Sequence, residues 1–447
     1  MSRREKERDV VKVRTQAGWS MAEPGRKQEC SVTRILFVDF DLFVPPVTGA
    51  RQRSALLHEA LTCCGEVDTL VVFTQPRDIS GDLSRMPSSY RLLGALEPPP
   101  PAGQTGLWRH LSPLNPPFIQ KLAHSLRTRE SLFRADGKLS AVLHSVTGKR
   151  RYDLIVARYL RNAAVSGILD FASTIIDVDD FDSELRESKS MMSGIPSWKR
   201  AMLLHYAEAY KKVETKLLVK CGGVFVTKET DLERVRGTRS ALLSNIPYAA
   251  DEYPDEPIPP AAGKTMVFVG GLRWTCNIEA VDFFIDKVWP EIRREVPDAV
   301  FRIIGAGLRD IDRQRWSRSE GVDVRGEVEN IRDVYRDAAF SVAPILSGGG
   351  TNIKILESLL YNRTCVGTAF GMRGFENTLK NGISVSMVRN EREMAEACCR
   401  LLKNPTLAAW MAQNGRDIVR ARFSREAFRS AVKKLVGEVL EETAPFR

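Results

Sequence analysis

The run Pro344-Ile-Leu-Ser-Gly-Gly-Gly-Thr-Asn-Ile-Lys-Ile-Leu-Glu-Ser-Leu-Leu360 holds the residue types that bind an anion. An apolar strand end feeds Gly348, Gly349 and Gly350, then Thr351 in capping position, then a helix. Glycines let backbone N–H groups approach an anion closely, and a helix N-terminus directs about half a positive charge at it. The chemistry that results is a diphosphate cradle. Within the helix, Ile353, Leu356 and Leu360 follow a core spacing, while Lys354 and Glu357 at i and i+3 share another face. Lys354 can neutralise a diphosphate and Glu357 can accept from ribose hydroxyls. Taken alone, three glycines also fit a plain turn before a helix with a surface Lys–Glu pair.

A loop of this kind needs a rigid scaffold. From residue 35 the chain alternates strand and helix, with strands expected over 35–39, 70–73, 153–157, 174–178 and 223–227, and helices around 54–61 and 198–220. A second alternation has strands over 266–269, 300–304, 340–343, 364–367 and 383–387. Such alternation predicts α/β architecture with parallel, doubly wound sheets. The division expected is a mobile basic tail over 1–33, a first domain over 34–248, a Pro-rich acidic linker over 249–264, a second domain over 265–424 and a C-terminal helix over 425–447. Two such domains leave a cleft at the carboxyl ends of their strands, where ligands of these sheets bind. The Pro-, Gly- and Ser-rich stretch over 76–117 reads as long loops.

Charge and composition narrow the class. With 447 residues and a net charge of +10, the chain suits anionic partners. Its 66 basic residues are scattered among 56 acidic ones, so no basic stripe with interleaved aromatics argues for nucleic acid. The eight cysteines form no C-x-x-C pair, and no apolar run reaches 18 residues. A charged N-terminal stretch without an apolar signal segment fits a cytoplasmic chain whose basic tail could touch anionic lipid at the inner face of a membrane. Asp177-Val-Asp-Asp-Phe-Asp-Ser183 suggests acceptor hydroxyl recognition, a divalent ion or a helix cap, but lacks the Gly and distal Glu of a calcium loop, so no metal site is expected. None of the five histidines lies in a nucleophile or metal motif, and His110 alone lies in a loop-rich region near chemistry.

The segment from Gly348 to Ser358, followed by Asn362-Arg-Thr-Cys-Val-Gly-Thr368, resembles the donor-binding signature of family 4 retaining glycosyltransferases. Phe268-Val-Gly-Gly-Leu-Arg-Trp-Thr-Cys-Asn277, Val296-Pro-Asp-Ala-Val-Phe-Arg-Ile-Ile-Gly305 and Arg325-Gly-Glu-Val-Glu-Asn-Ile331 look like further elements of that family's second domain. Pro45-Pro-Val-Thr-Gly-Ala-Arg51 looks like its first loop. The resemblance runs from about residue 34 and implies the GT-B architecture, two Rossmann-like doubly wound domains facing a central cleft. It implies transfer from a nucleotide-diphosphate sugar to a glycan or lipid-linked acceptor with retention of configuration, without cofactor or metal. By the same resemblance, Lys354, the Gly348–Thr351 amides, Arg51 and Arg273 steady the diphosphate and Glu357 holds ribose. Val328 meets the base, and Gly49 and Gly271 allow close approach to the donor. There are departures: Gly349 stands where the family often has glutamate, Asn352 where it often has arginine, and Ala50 where it has a second glycine. Two rivals follow, a catalytically idle homologue acting as a binding or partner subunit, and a sugar-nucleotide epimerase.

Overall fold

The computed structural model describes residues 32–443 apart from Val47, 73–90, 97–132, Ala172, Ser193, 249–252 and Pro254. The basic tail up to residue 31, His110, His124 and most of the 76–117 stretch lie outside the described residues.

The first sheet has seven parallel strands: β1 (Arg34–Asp39), β2 (Glu66–Val72), β3 (Arg91–Leu96), β4 (Leu154–Arg158), β5 (Thr174–Val178), β6 (Gly223–Val226) and β7 (Ser240–Leu242). Their order is β3-β2-β1-β4-β5-β6-β7. β1 sits centrally, with Ile35 registered against Val67 on one side and Leu154 on the other. Its apolar run is continuous because both faces are covered. Ile35 and Phe37 face a layer containing α1 (Gly49–Thr62), whereas Leu36 and Val38 face α2 (Gly137–Lys149), α3 (Leu160–Val165) and α5 (Ser197–Leu218). Between α3 and α5 lies α4 (Asp182–Ser190), and α6 (Glu229–Leu232) follows β6. β3 corrects the reading of 76–117 as loops throughout. Its sequence, Arg-Leu-Leu-Gly-Ala-Leu, is an apolar edge strand hidden among turn-forming neighbours.

The second sheet comprises β8 (Thr265–Val269), β9 (Val300–Ile304), β10 (Val322–Gly326), β11 (Phe340–Ala343), β12 (Cys365–Thr368) and β13 (Ser386–Val388) in the order β10-β9-β8-β11-β12-β13, again all parallel. Around it run α7 (Thr275–Phe283), α8 (Trp289–Glu295), α9 (Asp310–Trp316), α10 (Ile331–Asp337), α11 (Ile353–Leu360), α12 (Glu391–Lys403) and α13 (Pro405–Arg422). The strand expected over 383–387 is shorter and later, because Ser384 is held in a turn by Lys380.

Strand order reverses between β1 and β4 in one sheet and between β8 and β11 in the other. Loops leaving the carboxyl ends of neighbouring strands at such a point diverge and open a crevice. The final helix, α14 (Arg425–Thr443), returns to the first domain. Phe428, Val432, Leu435 and Val439 join the apolar cluster of Ile35 and Leu57, and that cluster continues into Ile355, Leu356 and Leu359 of α11. Arg425 pins the crossing by donating to Glu59 at 2.8 Å.

Candidate active site at the interdomain cleft

A cavity of about 840 Å³ lies between the two sheets. The first domain contributes Thr48, Gly49 and Ala50 after β1, Tyr159 after β4, Asp179 and Asp180 after β5, and Asn245. The second contributes Trp274, Cys276 and Glu279 after β8, and Gly348–Thr351 with Ile353 after β11. The first residues of two helices meet here, since a Cβ on Gly49 would stand 3.3 Å from Ile353 Cδ1.

Gly348 and Gly350 have φ of +124° and +65°, which L side chains rarely adopt. The loop ends one residue later than the capping pattern predicts. Asn352, not Thr351, occupies the N-cap, and its amide donates to the Gly371 carbonyl at 2.8 Å. Thr351 Oγ1 accepts from Asn245 Nδ2 across the cleft at 3.1 Å. Among the described residues, no side chain caps the first turn of α11, so none of them competes there with an anion for the helix amides.

Asp180 reaches this loop from the other domain, and its Oδ1 accepts from the Gly350 amide. Burial first, and the adjacent Asp179 second, push its carboxyl up to about 7, against the pull of Lys228 and the Gly350 amide. Only its presence in the acidic run after β5 was visible in the sequence.

Lys354 is turned toward the loop after β8. Its Nζ donates to Asn277 Oδ1 at 2.8 Å, lies 4.6 Å from the Phe268 ring centroid, and sits 3.0 Å from where a Cβ on Gly270 would be. Burial lowers it to about 8. Glu357, on the same helix face, accepts from Tyr335 at 3.4 Å and Tyr253 at 3.5 Å, and burial raises it to about 7. Gly271 lies beside the Trp274 ring, which leaves 3.0 Å for a Cβ. Val328 packs half-buried beside Val267, Ile304 and Tyr335.

The two expected arginines stand elsewhere. Arg51 Nε donates to Asp41 at 3.2 Å, and Arg273 is exposed beside Gly307; neither lines the cavity, nor do Lys354, Glu357, Gly271 and Val328, whereas Gly49, Gly348, Gly349, Gly350 and Thr351 do. A cation absent from the sequence reading is closer to the loop. Arg373 Nη2 donates to the Gly348 carbonyl at 3.3 Å. Only three-dimensional proximity identifies it, as it lies 25 residues from Gly348.

Behind the cleft, two fully buried arginines clamp the acidic run. Arg53 contacts Asp177 at 2.5 Å and Asn245 Oδ1 at 3.0 Å. Arg158 donates to Asp177 at 2.8 Å, to Asp179 at 3.0 Å and to the Tyr159 hydroxyl at 2.7 Å. Asp177 and Asp179 are therefore engaged in ion pairs, and only Asp180 projects to the glycine loop. Tyr159, missed by sequence reading, lines the cavity with φ of +61°, an unusual backbone conformation held in place by this network. His58 is not a site residue. It packs between Phe37 and Phe43, and burial lowers it to about 4.

Two parallel, doubly wound sheets facing a cleft with a glycine loop at the switch point define the GT-B fold of glycosyltransferases. Residues 263–404 match the family model described as "Glycosyl transferases group 1". The matched stretch lies in the second domain and contains Gly348–Ser358, the segment that carries the resemblance read from sequence. The fold is similar to sucrose-phosphate synthase from Thermosynechococcus elongatus, with a TM-score of 0.61 and 19% identity over 93% of this chain and 100% of that one. It is similar also to Anabaena HepE in complex with UDP and glucose, with a TM-score of 0.60 and 13% identity over 91% of this chain and 99% of that one. S. aureus TarM, crystallised with Fondaparinux, alpha-GlcNAc-glycerol and UDP, gives 0.59 and 10% over 90% and 99%. No curated protein sequence matches the chain. Among the described residues, no helix is long and apolar enough to cross a membrane.

Proposed function

We propose that the protein transfers a sugar from a nucleotide-diphosphate donor to an acceptor hydroxyl, with retention of configuration. The second domain holds the donor, the first holds the acceptor, and the reaction is cytoplasmic with peripheral contact at the inner membrane face. The observation that carries this reading is the uncapped N-terminus of α11 behind Gly348–Gly350, at the reversal of strand order and opposite Gly49. Bound UDP in HepE and TarM supports a nucleotide donor on the same fold.

In this reading the acceptor oxygen bonds to the anomeric carbon on the face the diphosphate leaves, and a donor phosphate oxygen takes the acceptor proton. No protein nucleophile is required. The chain contributes positioning and charge, with the loop amides, Lys354 and Arg373 steadying the diphosphate as negative charge grows on it. Glu357 accepts from ribose, the backbone at Val328 meets the base, and Gly271 leaves room beside the donor.

A thermal-shift panel of UDP-, GDP- and ADP-sugars tests the reading. A true donor at a hundred times its dissociation constant stabilises by about 2.7 kcal/mol. Nuclear magnetic resonance of the product then reports the anomeric configuration. A panel with no stabilising nucleotide sugar, or a product of inverted configuration, overturns the proposal. Binding without turnover on any acceptor identifies an idle homologue, and an epimerised sugar formed without acceptor identifies an epimerase.

A further inference from the structure

The mouth of the cleft carries an apolar surface that the donor does not need. On the first-domain side, α4 and α5 form a hairpin, tied where Arg200 Nε donates to the Ser190 carbonyl at 3.1 Å. Its inner face lines the cavity with Leu185, Met192, Ile195 and Leu203. The only charged side chains it adds to the lining are Lys189 and Lys199, both exposed and without a carboxylate partner among the described residues.

The apolar surface does not stop at the cavity. Trp198 and Met202, one helical turn apart and adjacent to Lys199 and Leu203, stand in solvent at 69% and 37% exposure. Met191, at the end of α4, is 65% exposed. Three large apolar side chains within twelve residues, continuous with a cavity wall and flanked by unpaired lysines, fit apolar chains below an anionic headgroup. A glycan stacks on an exposed tryptophan ring but has no use for the aliphatic wall of Leu185, Met192, Ile195 and Leu203.

We propose that the acceptor is carried on an anionic lipid in a bilayer, its acyl region against Met191, Trp198 and Met202 and its charged linkage between Lys189 and Lys199. This deepens the glycosyltransferase reading and rests on it. The hairpin then seats the cleft mouth on the membrane, so the acceptor hydroxyl enters beside Tyr159 and Trp274 without the lipid leaving the bilayer.

The full chain is sedimented with vesicles of phosphatidylcholine containing one-third phosphatidylglycerol. The double variant Trp198→Ser/Met202→Ser should bind about tenfold more weakly, as loss of two interfacial anchors predicts. Lys189→Glu/Lys199→Glu should lose a comparable factor on these vesicles, through reversed headgroup charge. A diazirine-acyl phosphatidylglycerol should label peptides within 185–204. Circular dichroism checks that the variants are folded. Parent-like binding by the serine variant, or labelling confined to the basic tail over 1–33, overturns the inference. So does a lipid-free dimer that the serine variant converts to monomer, since the face would then join two copies. Stabilisation by uridine, guanosine and adenosine diphosphates is measured on the parent in parallel; its absence with all three overturns the glycosyltransferase reading itself, whereas its presence with any of them and serine-insensitive vesicle binding overturns this inference alone.

Discussion

Asp180, at the carboxyl end of β5, accepts a hydrogen bond from the Gly350 amide, so a carboxyl of one domain rests on the glycine loop of the other. The contact exists because position 349 carries no side chain: a Cβ there would run into the Asp180 carboxylate. With burial and Asp179 raising it to about 7, Asp180 is largely neutral in mild acid and charged in mild base. A donor diphosphate entering the cradle meets this charge only above that point.

Asp180→Asn should therefore tighten binding of the nucleoside diphosphate of the proposed donor about tenfold at pH 8, with the difference vanishing by about pH 5.5; a change of 1.4 kcal/mol corresponds to that factor. Calorimetric titration at the two pH values measures it. The same variant bears on stability. A carboxyl whose folded value lies above its unfolded one contributes fully below about 3.8, and that contribution is lost as pH rises through about 7. Asparagine keeps the acceptor for Gly350 and has no charge to bury. Its melting temperature should thus gain on the parent between pH 5 and pH 8, by roughly 2–4 °C for about 1 kcal/mol. Equal affinities at pH 8 would show that Asp180 lies outside the field of the diphosphate.

Gly349→Ala should disturb the same contact from the opposite side. The added methyl meets the carboxylate, and overpacking of this kind costs about 1–3 kcal/mol. In a double-mutant cycle with Asp180→Ala, removing the carboxylate should recover most of that loss. Additive effects in denaturant melts would mean that the methyl strains the loop itself.

What could be read from sequence follows physical range. The strands β1, β4, β5, β8, β9 and β11 were legible because burial makes them predominantly apolar runs, interrupted only singly, as by Asp177, Arg302 and Ser341. β10 was not: Val322-Asp-Val-Arg-Gly326 is a half-buried edge strand whose Asp323 pairs with Arg302 and Arg325. β7, three residues long, gave too little pattern. In the site, the glycine loop and the Lys354–Glu357 face were legible because both are local in sequence. Arg53 with Asp177, Asn245 with Thr351, Asp180 with Gly350 and Arg373 with Gly348 join residues 124, 106, 170 and 25 positions apart, which no spacing rule relates. Arg51, placed by resemblance toward the donor, is drawn aside by Asp41.

Asp177→Asn should unfold the first domain more readily, without touching the cavity. Arg53 and Arg158 are both fully buried and share this carboxylate. Removing one partner of a buried ion pair costs about 3–5 kcal/mol, because the remaining charge stays desolvated. Chemical denaturation should register a loss in that range. A loss below about 1 kcal/mol would show that Asp179, which also contacts both arginines, suffices to hold them.

Lys354 offers the sharpest test of the diphosphate site. Its ammonium is half-buried between Asn277 and the Phe268 ring, with burial lowering it to about 8. In the proposed reaction, a cation so placed faces a diphosphate whose charge is larger in the transition state than in the ground state. Lys354→Ala should lower turnover about a hundredfold to a thousandfold, as for a preorganised donor of roughly 3–4 kcal/mol, and donor affinity by less. Lys354→Arg should rescue only in part, since a planar fork does not reproduce a point charge at that reach. The pH profile supplies an independent signature. In the free enzyme the lysine loses its proton above about 8, so kcat/KM should fall through that region. A bound diphosphate favours the protonated form, so the corresponding limb of kcat should lie at higher pH. The alanine variant should lose that limb altogether. If Lys354→Ala instead folds normally and turns over within about threefold of the parent, a change worth under 1 kcal/mol, the lysine serves only to hold Asn277, and the diphosphate must be bound elsewhere in the cleft.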